Sequence, residues 1–435
     1  MKPYLLALGI AALTAGPLAG QDLIAIRAGR LVDVARGEVR ANQVILVRGE
    51  RIEAVQAGTA PIPRGARVID LSAHTVTPGL IDLHAHLIGD ISSSSPIAPL
   101  TQSGAQDALA GVQNARATLL AGFTTVRDIG TYRAYVDVAL RNAINAGIVR
   151  GPRMQVAGAY VTVSSGAGEV TGMAADVSAP ADMRRGVAND AAAVRQRVRE
   201  LLNGGADFIK ILATGAVFTM GTQPGAPEYT EEELKAAVDE AANYGTYVAA
   251  HAHGAEGIKR AVRAGVRSIE HGSLADDEAL ALMKARGTWL VADIYNGDYT
   301  DSVGAIEHWP EEILRKNRET TGTQRDAFRK AVALGVPLAY GTDSGIYPHG
   351  LNARQLRYMV TYGMTPMQAV QSATIQAARA MGWEDRVGSI APGRYADLIA
   401  VRGDALADLG RFEAVDFVMK GGEVVKERGV ATAPW

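Results

Sequence analysis

The chain has 435 residues, a net charge of −2, 48% hydrophobic residues and no cysteine. That length exceeds one small core and suits a large barrel with a minor domain, and the hydrophobic share excludes a disordered chain. Acids and bases are interspersed, with no basic stripe for nucleic acid, and the missing cysteines remove disulfides and thiolate metal sites.

Residues 1–20, MKPYLLALGIAALTAGPLAG, read as an export signal. Lys2 gives a positive start, residues 4–13 a short apolar core, and Pro17-Leu18-Ala19-Gly20 a small-residue cleavage zone. The apolar run is short for a bilayer span. A periplasmic or secreted protein, soluble once the signal is removed, is the expectation.

Residues 21–75 hold short alternating segments at 23–26, 44–47, 52–55 and 68–71, separated by turns. Residues 386–435 resemble them: a loop at 388–393, strands at 396–401 and 415–419, and a turn at Gly421-Gly422. Neither end is long enough for a good core of its own, so the two are expected to combine in one small β-sandwich domain.

Between them, over 76–385, strands and helices alternate. Strands are predicted at 76–83, 124–127, 154–161, 208–212, 247–250, 267–269, 289–291 and 337–340. Thr230-Glu231-Glu232-Glu233 is a capping box opening a helix that ends near Gly245. Eight β/α units in an α/β chain predict a TIM-type (β/α)8 barrel, with its site at the C-terminal strand ends. A doubly wound open sheet is the alternative, and it would not converge residues from the first and eighth strands.

Chemistry-bearing residues fall at those strand ends. His84 and His86 close the first predicted strand, and residues two apart on a strand face the same way, so both imidazoles can grip one metal ion. Lys210 lies inside the apolar run 206–212, where a charged amine is costly. It either snorkels to the rim or, as a desolvated neutral amine, adds CO2 to give a carbamate that bridges two metals. His251 and His253 follow the fifth strand. His251, directly at the strand end, is the expected ligand, and His253 is expected to reach substrate or to support the ligands. His271 ends the sixth strand, and Asp343 follows the eighth, placed to bind metal and shuttle a proton. His74 and His308 lack such placement and read as structural or surface residues.

Two long glycine-rich loops, 163–189 and 214–229, are expected to close over substrate. Tyr160, Tyr229, Tyr295, His349 and Arg354 are candidates to hold a leaving amino acid.

The run 76–86, VTPGLIDLHAH, resembles the first-strand signature of the amidohydrolase superfamily. Residues 248–253, 268–273 and 341–343 resemble its later signatures, and 388–397 the return to its sandwich. The likeness covers essentially the whole chain after the signal. The strand-four lysine and the His-Ala-His-Gly and Ile-Glu-His-Gly runs are most similar to a narrower branch. It holds metal-dependent carboxypeptidase-like and Xaa-Pro or Xaa-Arg dipeptidases, ochratoxin A-degrading amidohydrolases and imidazolonepropionase-like proteins. The resemblance implies two divalent ions, zinc by preference, and a homo-oligomer, often an octamer. It implies that His84, His86 and Asp343 hold one ion, that His251 and His271 hold the other, and that carboxylated Lys210 bridges them. Relatives often carry a Pro-Thr pair after strand seven, where this chain runs Leu290-Val291-Ala292-Asp293-Ile294-Tyr295. The expected reaction is hydrolysis of an amide or dipeptide to release a C-terminal amino acid, with Asp343 and His253 as catalytic residues. The alternatives are a cyclic-amide hydrolase or deaminase of the imidazolonepropionase-like type, and a binding protein that kept the fold but lost ligands.

Overall fold

The apolar run predicted as one strand over 76–83 is divided at Gly79 between two sheets. In the computed structural model, which describes residues 23–89, 97–174 and 176–433, strand Arg67–Pro78 ends in the sheet of the chain ends and strand Leu80–Ala85 opens the barrel. The Gly79 amide donates to Asp397 O and the Leu80 amide to Gly122 O, both at 2.9 Å, so neighbouring residues serve different domains. A Cβ at residue 79 would lie 2.0 Å from Thr124 Oγ1, which is why glycine occupies the crossing. The first part of the minor domain therefore runs to Pro78 rather than to residue 75. The export signal read over 1–20 lies outside the described residues.

Both chain ends enter one eight-stranded sheet. Arg67–Pro78 sits at its centre, parallel to Leu23–Asp33 and antiparallel to Leu398–Arg402. The sheet curls until the turn at 49–52 meets residues 393–396. There Ile52 N donates to Arg394 O at 2.9 Å and Ala396 N to Glu50 O at 2.8 Å. Ile26, Ile45, Ile69, Leu398, Phe417 and Met419 fill the space enclosed. The sandwich is thus one sheet folded on itself, and neither end could bury these side chains alone.

The barrel strands are Leu80–Ala85, Phe123–Asp128, a third in two pieces (Arg153–Val156 and Tyr160–Val161), Ile209–Leu212, Val248–Gly254, Ser268–Leu274, Trp289–Ala292 and Leu338–Tyr340. The sequence predicts the third unbroken over 154–161. Its first piece pairs with the second strand and its second piece with the fourth. Gly158, at φ +78°, turns the chain between them, and its amide donates to buried Asp137 Oδ2 at 2.7 Å. The first and eighth strand ends close the ring at the Ala85–Ser344 bridge, with Asp343 N donating to His84 O at 2.7 Å and His86 N to Ser344 O at 2.8 Å. This closure excludes the open sheet.

The capping box forms at helix Glu231–Asn243, where Thr230 N donates to Glu233 Oε2 at 2.8 Å and Thr230 Oγ1 accepts from Glu233 N at 3.3 Å. Among the described residues no helix is long and apolar enough to cross a membrane.

Gly79→Val forces a branched side chain into Thr124 and tests the crossing. The expected cost is about 1–3 kcal/mol, seen as a lower Tm in a thermal melt. An unchanged Tm would show that the crossing has room.

Candidate metal centre

The barrel mouth gathers His84, His86, Lys210, His251, His253, His271 and Asp343, all buried and all lining one pocket. Each stands in a barrel strand or just after one, and alternation along the strands turns them inward. Two of them need more than alternation. His271 and Asp343 have φ of +70° and +58°, the left-handed region that side-chain-bearing residues avoid. Barrel closure and the pairing of the sixth strand hold these conformations, which aim both side chains at the pocket.

Hydrogen bonds set which nitrogen of each imidazole is free. His84 Nδ1 lies 3.0 Å from Glu270 Oε2, and His86 Nδ1 lies 3.2 Å from Gly130 O. Carboxylate and carbonyl oxygens only accept, so both protons sit on Nδ1 and both Nε2 lone pairs face Asp343 Oδ1, at 3.3 and 3.2 Å. His251 Nε2 donates to Gly215 O at 3.2 Å, which leaves Nδ1 as its donor atom. His253 Nδ1 meets Ser273 Oγ at 2.8 Å and leaves Nε2 free.

Among the described residues, three groups of three could each surround an ion: His84, His86 and Asp343; His251, His253 and His271; and His271, Asp293 and Asp343. Within each group the donor atoms lie within 4.8 Å of one another. Neutral imidazoles and carboxylates suit zinc and its neighbours. Two features fit a divalent ion. His271 Nδ1 is buried without a hydrogen-bond partner, although Asp293 Oδ1 is only 3.0 Å away. Lys210 is 2% exposed and has no hydrogen bond or ion pair among the described residues.

Burial dominates the titration of the site. It pushes the Lys210 ammonium down to about 8 and His253 down to about 3, and it holds His251 well below its ordinary value. Burial would raise Asp343, yet His84 and His86 hold its carboxyl well below the usual carboxylate range. Beneath the site, Arg127 Nη2 donates to Glu270 Oε1 at 2.6 Å, and Arg127 Nε donates to Leu83 O at 2.7 Å. Both side chains are fully buried. This pair fixes the carboxylate that orients His84.

Of the predicted substrate residues only Tyr160 lines the pocket, its hydroxyl 3.3 Å from His86 Nδ1. Tyr229 is 1% exposed and donates to Ala188 O at 2.9 Å, tying strand-four and strand-three loops together. Tyr295 stacks edge-on against Tyr347 and Tyr358 and receives Arg354 Nη1 on its hydroxyl at 3.1 Å. Arg354 also pairs with Glu413 at 3.3 Å. His349 Nε2 donates to His86 O at 3.0 Å, behind the site rather than in it. These four follow the mouth in sequence, but packing turns them away from it. His74 meets Asp416 at 2.8 Å in the minor domain.

Sequence reasoning passed over Asp293. It follows the apolar strand Trp289–Ala292 as Asp343 follows Leu338–Tyr340, and that parallel was its signal. The long helix Glu311–Leu334 was also missed as a pocket wall, although it supplies Ile313, Asn317, Thr320, Thr321 and Gln324. The same helix pins the loops. Fully buried Lys316 donates to Thr219 O at 2.9 Å and pairs with Glu312 at 2.6 Å, whose carboxylate accepts Gly221 N at 3.0 Å. Thr219 Oγ1 donates to Ala167 O at 2.7 Å, joining the two loops.

Residues 75–425 match the amidohydrolase family. The chain belongs to that family. It is 32% identical to the ochratoxinase of Aspergillus niger over 94% of this chain and 88% of that protein. Among solved structures it is similar to a Xaa-Pro dipeptidase with methionine bound in its active site, at 39% identity and TM-score 0.87, covering 93% of this chain and 100% of that one. It is also similar to a prolidase complexed with N-methylphosphonate-L-proline, at 31% identity and TM-score 0.86, covering 93% and 100%. The family is metal-dependent, and this amidohydrolase carries the histidines and carboxylates that such a centre needs. It acts on amide bonds.

Glu270→Gln should loosen His84 and lower metal affinity about 10–100-fold, measured by competition with a chromogenic chelator. It also strands the Arg127 charge, at about 3–5 kcal/mol of stability. Lys316→Met, remote from the metal donors, should raise KM on the order of tenfold, equivalent to about 1.4 kcal/mol, and leave kcat nearly unchanged. A kcat loss with constant KM would show that the Lys316 contact with the loop acts on chemistry instead.

Proposed function

We propose that this amidohydrolase is a binuclear metalloamidase that releases a C-terminal amino acid from dipeptides or N-acyl amino acids with large apolar groups, a class that includes N-acyl-phenylalanine compounds such as ochratoxin A. The observation that carries the reading is the buried Lys210, without a hydrogen bond or ion pair among the described residues, lining the same pocket as both imidazole groups. Burial favours its neutral amine, the form that adds CO2. As a carbamate it would bridge two ions, zinc by preference. Mononuclear deaminase-type relatives usually lack that lysine, so it favours this reading over the cyclic-amide alternative.

Divalent ions bound here would supply a polarised carbonyl and a water of lowered pKa. The side chains do the rest. Asp343 takes a proton from the attacking water as its oxygen bonds to the carbonyl carbon. It returns that proton to the amide nitrogen as the C–N bond breaks, giving a carboxylic acid and an amine. Asn296 Nδ2, 3.3 Å from Asp343 Oδ2, steadies the carboxylate. With the His253 proton on Nε2 and its Nδ1 accepting from Ser273, that N–H faces the pocket and can stabilise the oxyanion.

Val217, Phe218, Ile313 and Ile346 form an apolar wall beside the donors, which suits a large apolar group. Asn317 Nδ2, which donates one N–H to Gly297 O at 2.9 Å, keeps a second for a carboxylate. The prolidase and ochratoxinase similarities support the same class. Export and homo-oligomerisation belong to the proposal too.

Amino-acid release from a panel of dipeptides, N-acyl amino acids, ochratoxin A and cyclic ureides, with and without a chelator, tests the reading by mass spectrometry. Chelator-sensitive release of a C-terminal amino acid is expected. Release from no linear amide, with two metals bound, would move the function to cyclic amides. Asp343→Asn should retain most of its metal and lose turnover severely, about 100-fold or more. Apoprotein given zinc should recover activity faster with added bicarbonate. The effect should grow as pH rises toward about 8, where Lys210 loses its proton.

A further inference from the structure

Helix Glu311–Leu334 walls the pocket with Asn317, Thr320, Thr321 and Gln324, beside apolar Ile313. Most of their protons are spent inside the protein. Thr320 Oγ1 donates to Lys316 O at 2.8 Å, and Thr321 Oγ1 donates to Asn317 O at 2.7 Å. A hydroxyl has one proton, so both keep only lone pairs for a ligand. Asn317 Nδ2 donates one N–H to Gly297 O at 2.9 Å, and Gln324 Nε2 donates one to Asp293 Oδ1 at 2.7 Å. Each of these amides keeps a single N–H. The wall is richer in acceptors than in donors.

It also lacks a cation. Among the described residues that line the pocket, Lys210 is the only lysine or arginine, and as a carbamate it would be an anion. Lys316, on the same helix, spends its ammonium on Thr219 O at 2.9 Å and Glu312 at 2.6 Å. Arg133, next in sequence to pocket-lining Tyr132, donates to Gln102 O at 2.9 Å and to Asp182 Oδ2 at 2.8 Å. Residues 90–96 and 175, outside the described residues, include no lysine or arginine.

An α-carboxylate brings acceptors and a full charge. Against this wall it would meet two N–H groups, several lone pairs and no counter-cation, and an enclosed anion without a partner is costly. A primary carboxamide has the same shape. Its carbonyl can accept the Asn317 N–H, its NH2 can donate to the threonine hydroxyls, and no charge is buried.

We propose that this amidohydrolase prefers leaving amines whose α-carboxyl is masked as a neutral, hydrogen-bond-donating group. N-acyl amino acid amides and C-terminally amidated dipeptides are then better substrates than the corresponding free acids. This rests on the amidase reading of the mouth, with the leaving amine toward the helix. The chemistry is the same for both. The water oxygen bonds to the acyl carbon, the acyl C–N bond breaks, and the nitrogen leaves as the amine of an amino acid amide, carrying the proton returned by Asp343. The terminal carboxamide stays intact.

Matched pairs of N-acyl-phenylalanine and N-acyl-phenylalaninamide, with acetyl and benzoyl acyl groups, test the preference on the full-length, metal-loaded enzyme. Mass spectrometry of released phenylalanine or phenylalaninamide gives kcat/KM for each. The amides should be favoured about tenfold. Equal values, or a preference for the acids, would overturn the proposal while leaving the amidase reading in place. No hydrolysis of either member, with metal bound, would overturn the reading and the proposal together.

Thr321→Lys places an ammonium on the wall and should shift the ratio toward the acids about tenfold or more. A ratio of two kcat/KM values cancels the amount of active enzyme, so a partly folded variant still reports. A ratio unmoved by the added charge would equally overturn the proposal, because the carboxyl end would then lie elsewhere.

Discussion

The contact between the first and eighth strands is the constraint on which the rest depends. His84 and Asp343 are far apart in sequence, yet one backbone hydrogen bond joins them, Asp343 N to His84 O at 2.7 Å. Asp82 braces that junction from below. Its carboxylate accepts from His84 N and Thr342 N, both at 3.1 Å, and from Asn352 Nδ2 at 2.8 Å. With so many donors converging, Asp343 is held at positive φ without relaxing. The first imidazole–carboxylate group is thus a product of barrel closure and does not depend on loops.

The mouth concentrates buried charge, which is tolerable only because the charges answer one another. Glu270 lies between Arg127 and His84, and Asp343 faces two imidazole nitrogens with which it would share a divalent ion. Desolvation would otherwise neutralise each carboxylate. Lys210 is the exception, since it is buried without a hydrogen bond or ion pair among the described residues. Such an unanswered group is expensive in a finished core, and loss of its charge would remove that cost.

Much of this was legible in the sequence because it follows period-two alternation and strand ends. His84 with His86, Lys210, His251, His271 and Asp343 all obey that rule, and so does the alternation of strands and helices that makes the barrel. The failures have physical causes. Strand 76–83 reads as one apolar run because Pro78 and Leu80 are equally buried. Only the steric limit at Gly79, set by Thr124 from a distant strand, divides it. Tyr229, Tyr295, His349 and Arg354 sit near the mouth in sequence, but their side chains satisfy partners in neighbouring loops and helices, which pattern alone does not reveal. Asp293 is one aspartate after a strand by sequence alone, and its surroundings depend on Gln324 and Asn296, which pattern does not bring beside it. The helix that lines the pocket carries polar residues on its site face, the reverse of the apolar stripe by which buried helix faces are usually recognised.

The strand order of the curled sheet also governs when the molecule can finish folding. Arg67–Pro78 has Leu23–Asp33 on one side, but its other neighbour, Leu398–Arg402, lies beyond the whole barrel in sequence. Until that segment arrives, a long strand leading straight into the first metal donors has one bare edge, open to pairing with another chain. The barrel must assemble while this edge waits, because the contacts that cover it are among the most non-local in the chain. Yield during synthesis therefore depends on shielding one strand edge for the time needed to make roughly three hundred residues, a demand on chaperones rather than on catalysis.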